Sequence, residues 1–271
     1  MIELTDTHCH IQSIGALNGE KVTIGLWSKL EGATIDGVVS SAKEDGVNRL
    51  IAVGCTLEDS KLAINVASNH PGVWSSIGIH PHEAKNYVAN KSKLEDFASL
   101  ASKEKVVAVG ECGLDYYYGH SEPEDQRKIL EFQLELAQRH NLPVIFHVRE
   151  AFDDFWPIFE KYKGIKGVLH SFTDSMDNLN KALEHGLLIG VNGIATFAKN
   201  PNQTEVYKAI PLENLLLETD SPFLTPSPFR GKINEPKNVR LVAEYLANLS
   251  SQSVETLSRQ TTVNAIELFN I

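Results

Sequence analysis

"LTDTHCHIQS", residues 4–13, sets an apolar start, an aspartate and two histidines one residue apart near the head of the chain. Alternate residues of a strand share a face. A first strand over 2–7 would release His8 and His10 at its C-terminal end. Both imidazoles would then enter one cavity while Cys9 turns away. The pair gains meaning only if the rest of the chain brings partners to the same end of the same sheet.

Short apolar runs alternate with helix-like segments almost to the C-terminus. The strand candidates after 2–7 are 49–54, 74–79, 106–110, 143–148, 167–171, 187–192 and 215–219. They are short, rich in Val, Ile and Leu, and bounded by Gly, Pro or Asp, as buried parallel strands are. The clearest helix is "PEDQRKILEFQLELAQRH", 123–140, where Ile129, Phe132 and Leu136 recur at helical spacing, as do Leu130, Leu134 and Ala137. Pro123 with Glu124 and Asp125 makes a favourable first turn. Segment 175–185 ends at Gly186, a C-cap glycine, and helices over about 235–249 and 253–269 close the chain. Eight strands with helices between them predict an α/β fold, a single-domain (β/α)8 TIM-type barrel over 1–271. An open doubly wound sheet is the alternative, but no glycine-rich phosphate loop follows the first strand.

The bulk properties agree. A chain of 271 residues, 42% hydrophobic and 22% charged, has the composition of a globular enzyme or binding protein. Its net charge of −10, from 25 basic and 35 acidic residues, argues against nonspecific coating of nucleic acid, which depends on Lys and Arg. Bound cations would reverse that sign locally. Cys9, Cys55 and Cys112 form neither a C-x-x-C nor a zinc-finger spacing, so a reducing, cytoplasmic location is expected. No apolar run reaches a membrane span and no signal peptide is evident.

The reactive side chains fall at the predicted strand ends. Glu111 follows strand four, His147 ends strand five, His170 ends strand six and Asp220 follows strand eight. In a barrel these ends converge on the face that carries the active site. One strand-end histidine is more often a core or surface residue, and H-x-H alone is a weak signal. Six nitrogen and carboxylate donors at the ends of five strands are hard to obtain by accident. Such donors suit zinc, manganese or magnesium. Four histidines and two carboxylates exceed the need of one tetrahedral ion and match two divalent ions. The expected division is His8, His10 and Asp220 on one ion, His147 and His170 on the other, and Glu111 between them. A metal-activated water would then attack, with Asp220 also able to take its proton.

The segments "DTHCH", "IGIHPHEA", "VGECGLDYYY", "QRKILEFQLELA", "LPVIFHVREA", "VLHSF", "ETDSPFLTPSPFRG" and "NEPKNV", spread over residues 6–239, resemble the TatD family of metal-dependent deoxyribonucleases. The resemblance implies a TIM-type barrel, a divalent-metal centre and hydrolysis of nucleic-acid phosphodiesters. The family's metal ligands carry over to His8, His10, Glu111, His147, His170 and Asp220. The chain departs at 14–36, a longer first connection than the family usually has, which bears on substrate access.

Around this centre, His82, or else His80, could orient a phosphate or protonate a leaving oxygen; the alternative is an imidazole capping a loop. Arg230, stiffened by Pro226 and Pro228, could grip a phosphate by two parallel hydrogen bonds. Tyr116, Tyr117 and Tyr118 are read mainly as packing, with base stacking as the minority reading. Glu218 and Asp115 could orient ligand imidazoles. Cys9 and Cys112 are read as small buried residues.

The expected function is cleavage of DNA phosphodiesters by a monomer, acting as an exonuclease on single-stranded or terminal DNA. Hydrolysis of a carbon-centred ester or amide, such as the D-aminoacyl bond of a charged tRNA, is the alternative. A non-catalytic metal-binding scaffold is the third class, and the full donor set speaks against it.

Overall fold

The computed structural model describes residues 2–271. Eight strands, β1 (Leu4–Cys9), β2 (Val47–Val53), β3 (Val73–Ile77), β4 (Val106–Asp115), β5 (Val144–Arg149), β6 (Gly167–Leu169), β7 (Leu188–Val191) and β8 (Leu215–Leu217), follow one another in spatial order. Every neighbouring pair is parallel. The ring closes where β1 meets the chain leaving β8. Cys9 bridges Ser221, the His10 N–H donates to the Ser221 carbonyl at 2.8 Å, and the Asp220 N–H donates to the His8 carbonyl at 2.8 Å. This is the (β/α)8 barrel expected from the alternation of short apolar runs and helical segments.

The helices are α1 (Lys21–Trp27), α2 (Ile35–Glu44), α3 (Leu57–Asn69), α4 (Lys91–Ala98), α5 (Pro123–His140), α6 (Phe152–Phe159), α7 (Met176–Glu184), α8 (Pro201–Ala209), α9 (Val239–Leu249) and α10 (Val254–Phe269). Their boundaries have chemical causes. Thr34, Thr56, Asn90, Ser175 and Ser253 each accept a hydrogen bond from a first-turn backbone N–H with the side chain. Helix α5 has the predicted limits, with Pro123 at its start, Glu124 and Asp125 in its first turn, and Arg139 and His140 in its last. No described helix is long and apolar enough to cross a membrane.

Two apolar layers hold the barrel. One joins the outer strand faces to the helices. The other is a separate cluster of Ile51, Val53, Val107, Ala108, Ile145, Val168 and Leu216, drawn from five strands and completed by Ala265 and Phe269 of α10. Helix α10 lies across the N-terminal strand ends. Asn264 donates to the carbonyls of Leu212 (2.8 Å) and Leu215 (2.9 Å), and Thr262 donates to the Glu3 carbonyl (3.1 Å). With that end plugged, the open end is the C-terminal one, where the polar side chains gather.

Two strands depart from a regular ladder at the positions that matter. The pairing of β1 with β2 slips between Asp6 and Cys9, and that of β4 with β5 slips between Val109 and Cys112. A bulge re-aims the residues within it, here His8 and Glu111. Gly113, at φ +154°, permits the close passage of β5: a side chain there would run into the His147 carbonyl.

The seam is pinned by Asp6, fully buried. Its Oδ1 accepts from the Thr219 N–H (2.9 Å) and the His8 N–H (3.2 Å), and its Oδ2 from the Thr219 hydroxyl (2.6 Å). Asp6→Ala strands three buried donors and is expected to lower unfolding free energy by about 3 kcal/mol or more. Urea unfolding followed by circular dichroism reads this out; a midpoint within error of wild type would show that the seam does not depend on this carboxylate.

Candidate metal centre

Each donor owes its direction to a local feature. His10 is the first residue past β1 and begins a 3₁₀ turn over Ile11–Ser13. Its Nδ1 lies 2.9 Å from the Val53 carbonyl, so the hydrogen sits there and Nε2 is turned into the cavity. The Trp27 indole donates to the His10 carbonyl at 2.9 Å. The long first connection thus returns through α1 to anchor the loop it left.

Glu111 is the hub. Its Oε2 faces His8 Nε2 at 3.5 Å, and its Oε1 faces His147 Nδ1 at 2.7 Å, His170 Nε2 at 3.7 Å and His80 Nε2 at 3.7 Å. Asp220 Oδ1 lies 3.2 Å from His10 Nε2 and 3.7 Å from His8 Nε2. The donor atoms of His8, His10 and Glu111 lie within 4.8 Å of one another, as do those of His8, His170 and Asp220, and those of His80, Glu111 and His147. The six expected residues therefore meet in one place. The division into two halves is less sharp than the sequence suggested. His170 stacks on His8 with ring centroids 3.5 Å apart, so it belongs to both sides.

Outer carboxylates fix the rings. Glu218 Oε1 is 2.9 Å from His170 Nδ1, a charge contact without aligned hydrogen-bond geometry, while His170 Nε2 faces the centre. Asp115 Oδ2 is 3.0 Å from His147 Nε2 and 3.1 Å from His82 Nε2. Its Oδ1 accepts from the backbone N–H groups of Tyr117 and Tyr118, each at 3.0 Å.

The charges compensate one another. Burial alone would raise the Glu111 carboxyl, yet His80, His170, His147 and His8 outweigh it and hold Glu111 well below the usual carboxylate range. Burial likewise works against charge on His10, His147 and His170. Asp220 raises His10 to about 9, Asp115 and Glu111 raise His147 to about 9, and Glu218 and Glu111 raise His170 to about 9. His8 is the exception: burial and the neighbouring His170 lower it. It is fully buried and neither ring nitrogen has a hydrogen-bond partner. A neutral, buried, unpartnered imidazole aimed at two carboxylates fits a divalent cation, and the surrounding nitrogen and carboxylate donors are of the right type.

His10, His80, His82, Glu111, His147, His170 and Asp220 line a cavity of about 750 Å³, with His8 buried behind them, and Glu20, Val22 and Thr23 of the first connection line it as well. Residues 14–36 thus supply α1 and one wall of the mouth. His80 stands nearer the carboxylate hub than His82, which is engaged by Asp115. Arg230 does not line the cavity; its guanidinium lies over the Phe197 ring, 3.8 Å from the centroid. Three residues near the centre escaped the sequence reading. Cys55, just past β2, has its Sγ 3.7 Å from Glu111 Oε2, and Asp59 clusters with it and His10. Arg149 ends β5 two residues beyond His147 and lines the cavity. The strand-end rule would have flagged Cys55, and strand alternation from His147 would have flagged Arg149.

A parallel barrel plugged below and crowned by imidazoles and carboxylates defines the class of metal-dependent barrel hydrolases. The model of the family described as "TatD related DNase" matches residues 5–270, and the chain belongs to that family. It is 39% identical over 274 residues to "Deoxyribonuclease Tat-D" of Schizosaccharomyces pombe, covering 87% of each chain. It is 35% identical over 245 residues to "3'-5' ssDNA/RNA exonuclease TatD" of Klebsiella pneumoniae, covering 87% of this chain and 92% of that one. Among solved structures, the TatD homologue YJJV of Escherichia coli superposes with a TM-score of 0.86 at 27% identity, over 100% of this chain and 99% of that one.

Glu218→Gln removes the charge that orients His170. It is expected to weaken divalent-metal affinity by roughly 10–100-fold, measured by competition with a fluorescent chelator. Unchanged affinity would separate His170 from the metal centre.

Proposed function

We propose that this chain hydrolyses phosphodiester bonds of DNA, as an exonuclease on single-stranded or terminal DNA, with two divalent cations, magnesium, manganese or zinc. One observation carries the reading: four imidazoles and two carboxylates from five strands meet at one place, where His10, Glu111, His147, His170 and Asp220 line a cavity open to solvent and His8 lies buried behind them. The family relatives named as a deoxyribonuclease and as a single-strand exonuclease support the substrate. In the proposed arrangement His8, His10 and Asp220 hold one cation, His147 and His170 the other, and Glu111 lies between. Bound cations would supply Lewis acidity toward the phosphoryl oxygens and make water a stronger acid.

The chain's own groups do the rest. Asp220 has 15% of its side chain exposed against 6% for Glu111, so it is the carboxylate that entering water meets. Burial opposes its ionisation, but the His10 hydrogen bond and the charge of His170 hold it below the usual carboxylate range. Asp220 then accepts the proton of the water that attacks phosphorus. His82 lines the cavity with its ring fixed by Asp115, and its place in the reaction is to orient the phosphate or protonate the leaving oxygen.

The test is product mapping on single-stranded oligonucleotides labelled at either end, with each metal in turn. Stepwise shortening from one end is expected, and Asp220→Asn should slow it by about 10²–10⁴-fold. Intact DNA with every metal, together with cleavage of D-aminoacyl-tRNA by the same preparation, would replace this reading with the carbon-centred one.

A further inference from the structure

Among the residues lining the cavity, Arg149 is the one lysine or arginine; apart from the histidines, the other charged side chains are the carboxylates of Glu20, Glu83, Glu111, Glu150, Asp174 and Asp220. A polyanion whose scissile phosphate sits at the cation centre must place its next phosphate against this wall. Beyond the histidines, Arg149 is the one side chain there that can offset the carboxylates.

Arg149 is built for that contact. It ends β5 and pairs in register with Asp115, and its carbonyl accepts the Tyr116 N–H at 3.0 Å, so its backbone is fixed. Its side chain is exposed and has no ion-pair partner among the described residues. The guanidinium instead lies over two rings, 4.1 Å from the Tyr117 centroid and 4.8 Å from that of Tyr118. Aromatic faces hold a guanidinium while leaving its N–H fork free for a planar oxyanion.

The rings have a second use. Tyr116 is turned into packing, its hydroxyl donating to Asp154 at 2.7 Å. Tyr117 and Tyr118 are 54% and 52% exposed, unusual for large aromatic side chains. Tyr118 stacks with His120, centroids 5.8 Å apart and planes 14° apart, and both line the cavity. Because Asp115 binds the Tyr117 and Tyr118 N–H groups through one oxygen and His147 and His82 through the other, this shelf is rigidly coupled to the catalytic centre.

We propose that Arg149, resting on Tyr117 and Tyr118, grips the phosphate next to the scissile one, and that the tyrosine shelf stacks the unpaired base of that nucleotide. The assignment rests on the nuclease reading and deepens it, since only an unpaired base offers its face to such a shelf. It gives Arg149 the phosphate-gripping role that the sequence alone suggested for Arg230.

The experiment is fluorescence anisotropy of labelled decathymidylate with the full chain in chelator, where nothing is cut, over a series of salt concentrations. Arg149→Gln is expected to weaken binding about tenfold and to flatten the slope of log K against log salt by about 0.7, one phosphate contact on a single strand. Arg149→Lys should keep the slope while recovering part of the affinity. Tyr118→Ala should lose several-fold in affinity with the slope unchanged, and Tyr118→Phe should restore it. With metal, Arg149→Gln should raise KM for the oligonucleotide at least about tenfold more than KM for bis(p-nitrophenyl) phosphate, which has no second phosphate. An unchanged salt slope in a folded Arg149→Gln protein, or equal losses on both substrates, overturns the proposal while leaving DNA cleavage by the wild type intact. Wild-type protein that neither binds nor cuts single-stranded DNA overturns the nuclease reading and this one with it.

Discussion

Everything at the open end of the barrel hangs on the closure of β1 against the segment leaving β8. That closure is local and polar. Asp6, without solvent, accepts both the N–H and the hydroxyl of Thr219 and reaches the His8 N–H as well. Burial pushes its carboxyl up to about 8 against the bonds that favour its ionised form. The same few residues carry His8, His10 and Asp220. Strand pairing and donor placement are therefore one interaction: the ladder bonds between His8, His10, Asp220 and Ser221 that shut the barrel also fix the three side chains on one side of the centre.

The other side depends on Glu111. A regular strand would not aim that carboxylate at four imidazoles from β1, β5 and the chain after β3 and β6. The slip between Val109 and Cys112 does. In the absence of cations the imidazoles of His10, His147 and His170 carry the compensating charge. Metal ligation requires the neutral ring, so binding a cation means exchanging those protons for it. An acidic chain is compatible with the proposed anionic substrate for that reason: bound cations would supply the attracting charge locally, and the protein's own cationic contribution inside the cavity is confined to Arg149 among lysines and arginines.

Much of this was legible before the structure. Helix α5 could be placed to the residue because Pro123, the acidic first turn and the basic last turn all mark its limits. The barrel followed from buried parallel strands, whose apolar runs need no periodicity to be noticed. The six donors could be collected because the strand-end rule depends on topology rather than on distances. What failed to show was irregularity. The expected 106–110 strand runs on to Asp115, since Gly110 and Gly113 look like terminators yet lie within a bulged strand. The expected 2–7 strand runs from Leu4 to Cys9, and the slip beside His8 is invisible to a rule of alternation. The loop after β8 carries Arg230 away onto Phe197, a contact decided by tertiary packing alone. Arg149 escaped notice because attention stopped at His147, although one more pleat leads to it.

Anomalous scattering from crystals grown with manganese addresses the central claim most directly. Two peaks about 4 Å apart, flanking Glu111, with His8, His10 and Asp220 around one and His147 and His170 around the other, are the predicted result. Manganese bound elsewhere, with no peak within coordination distance of Glu111, would contradict it.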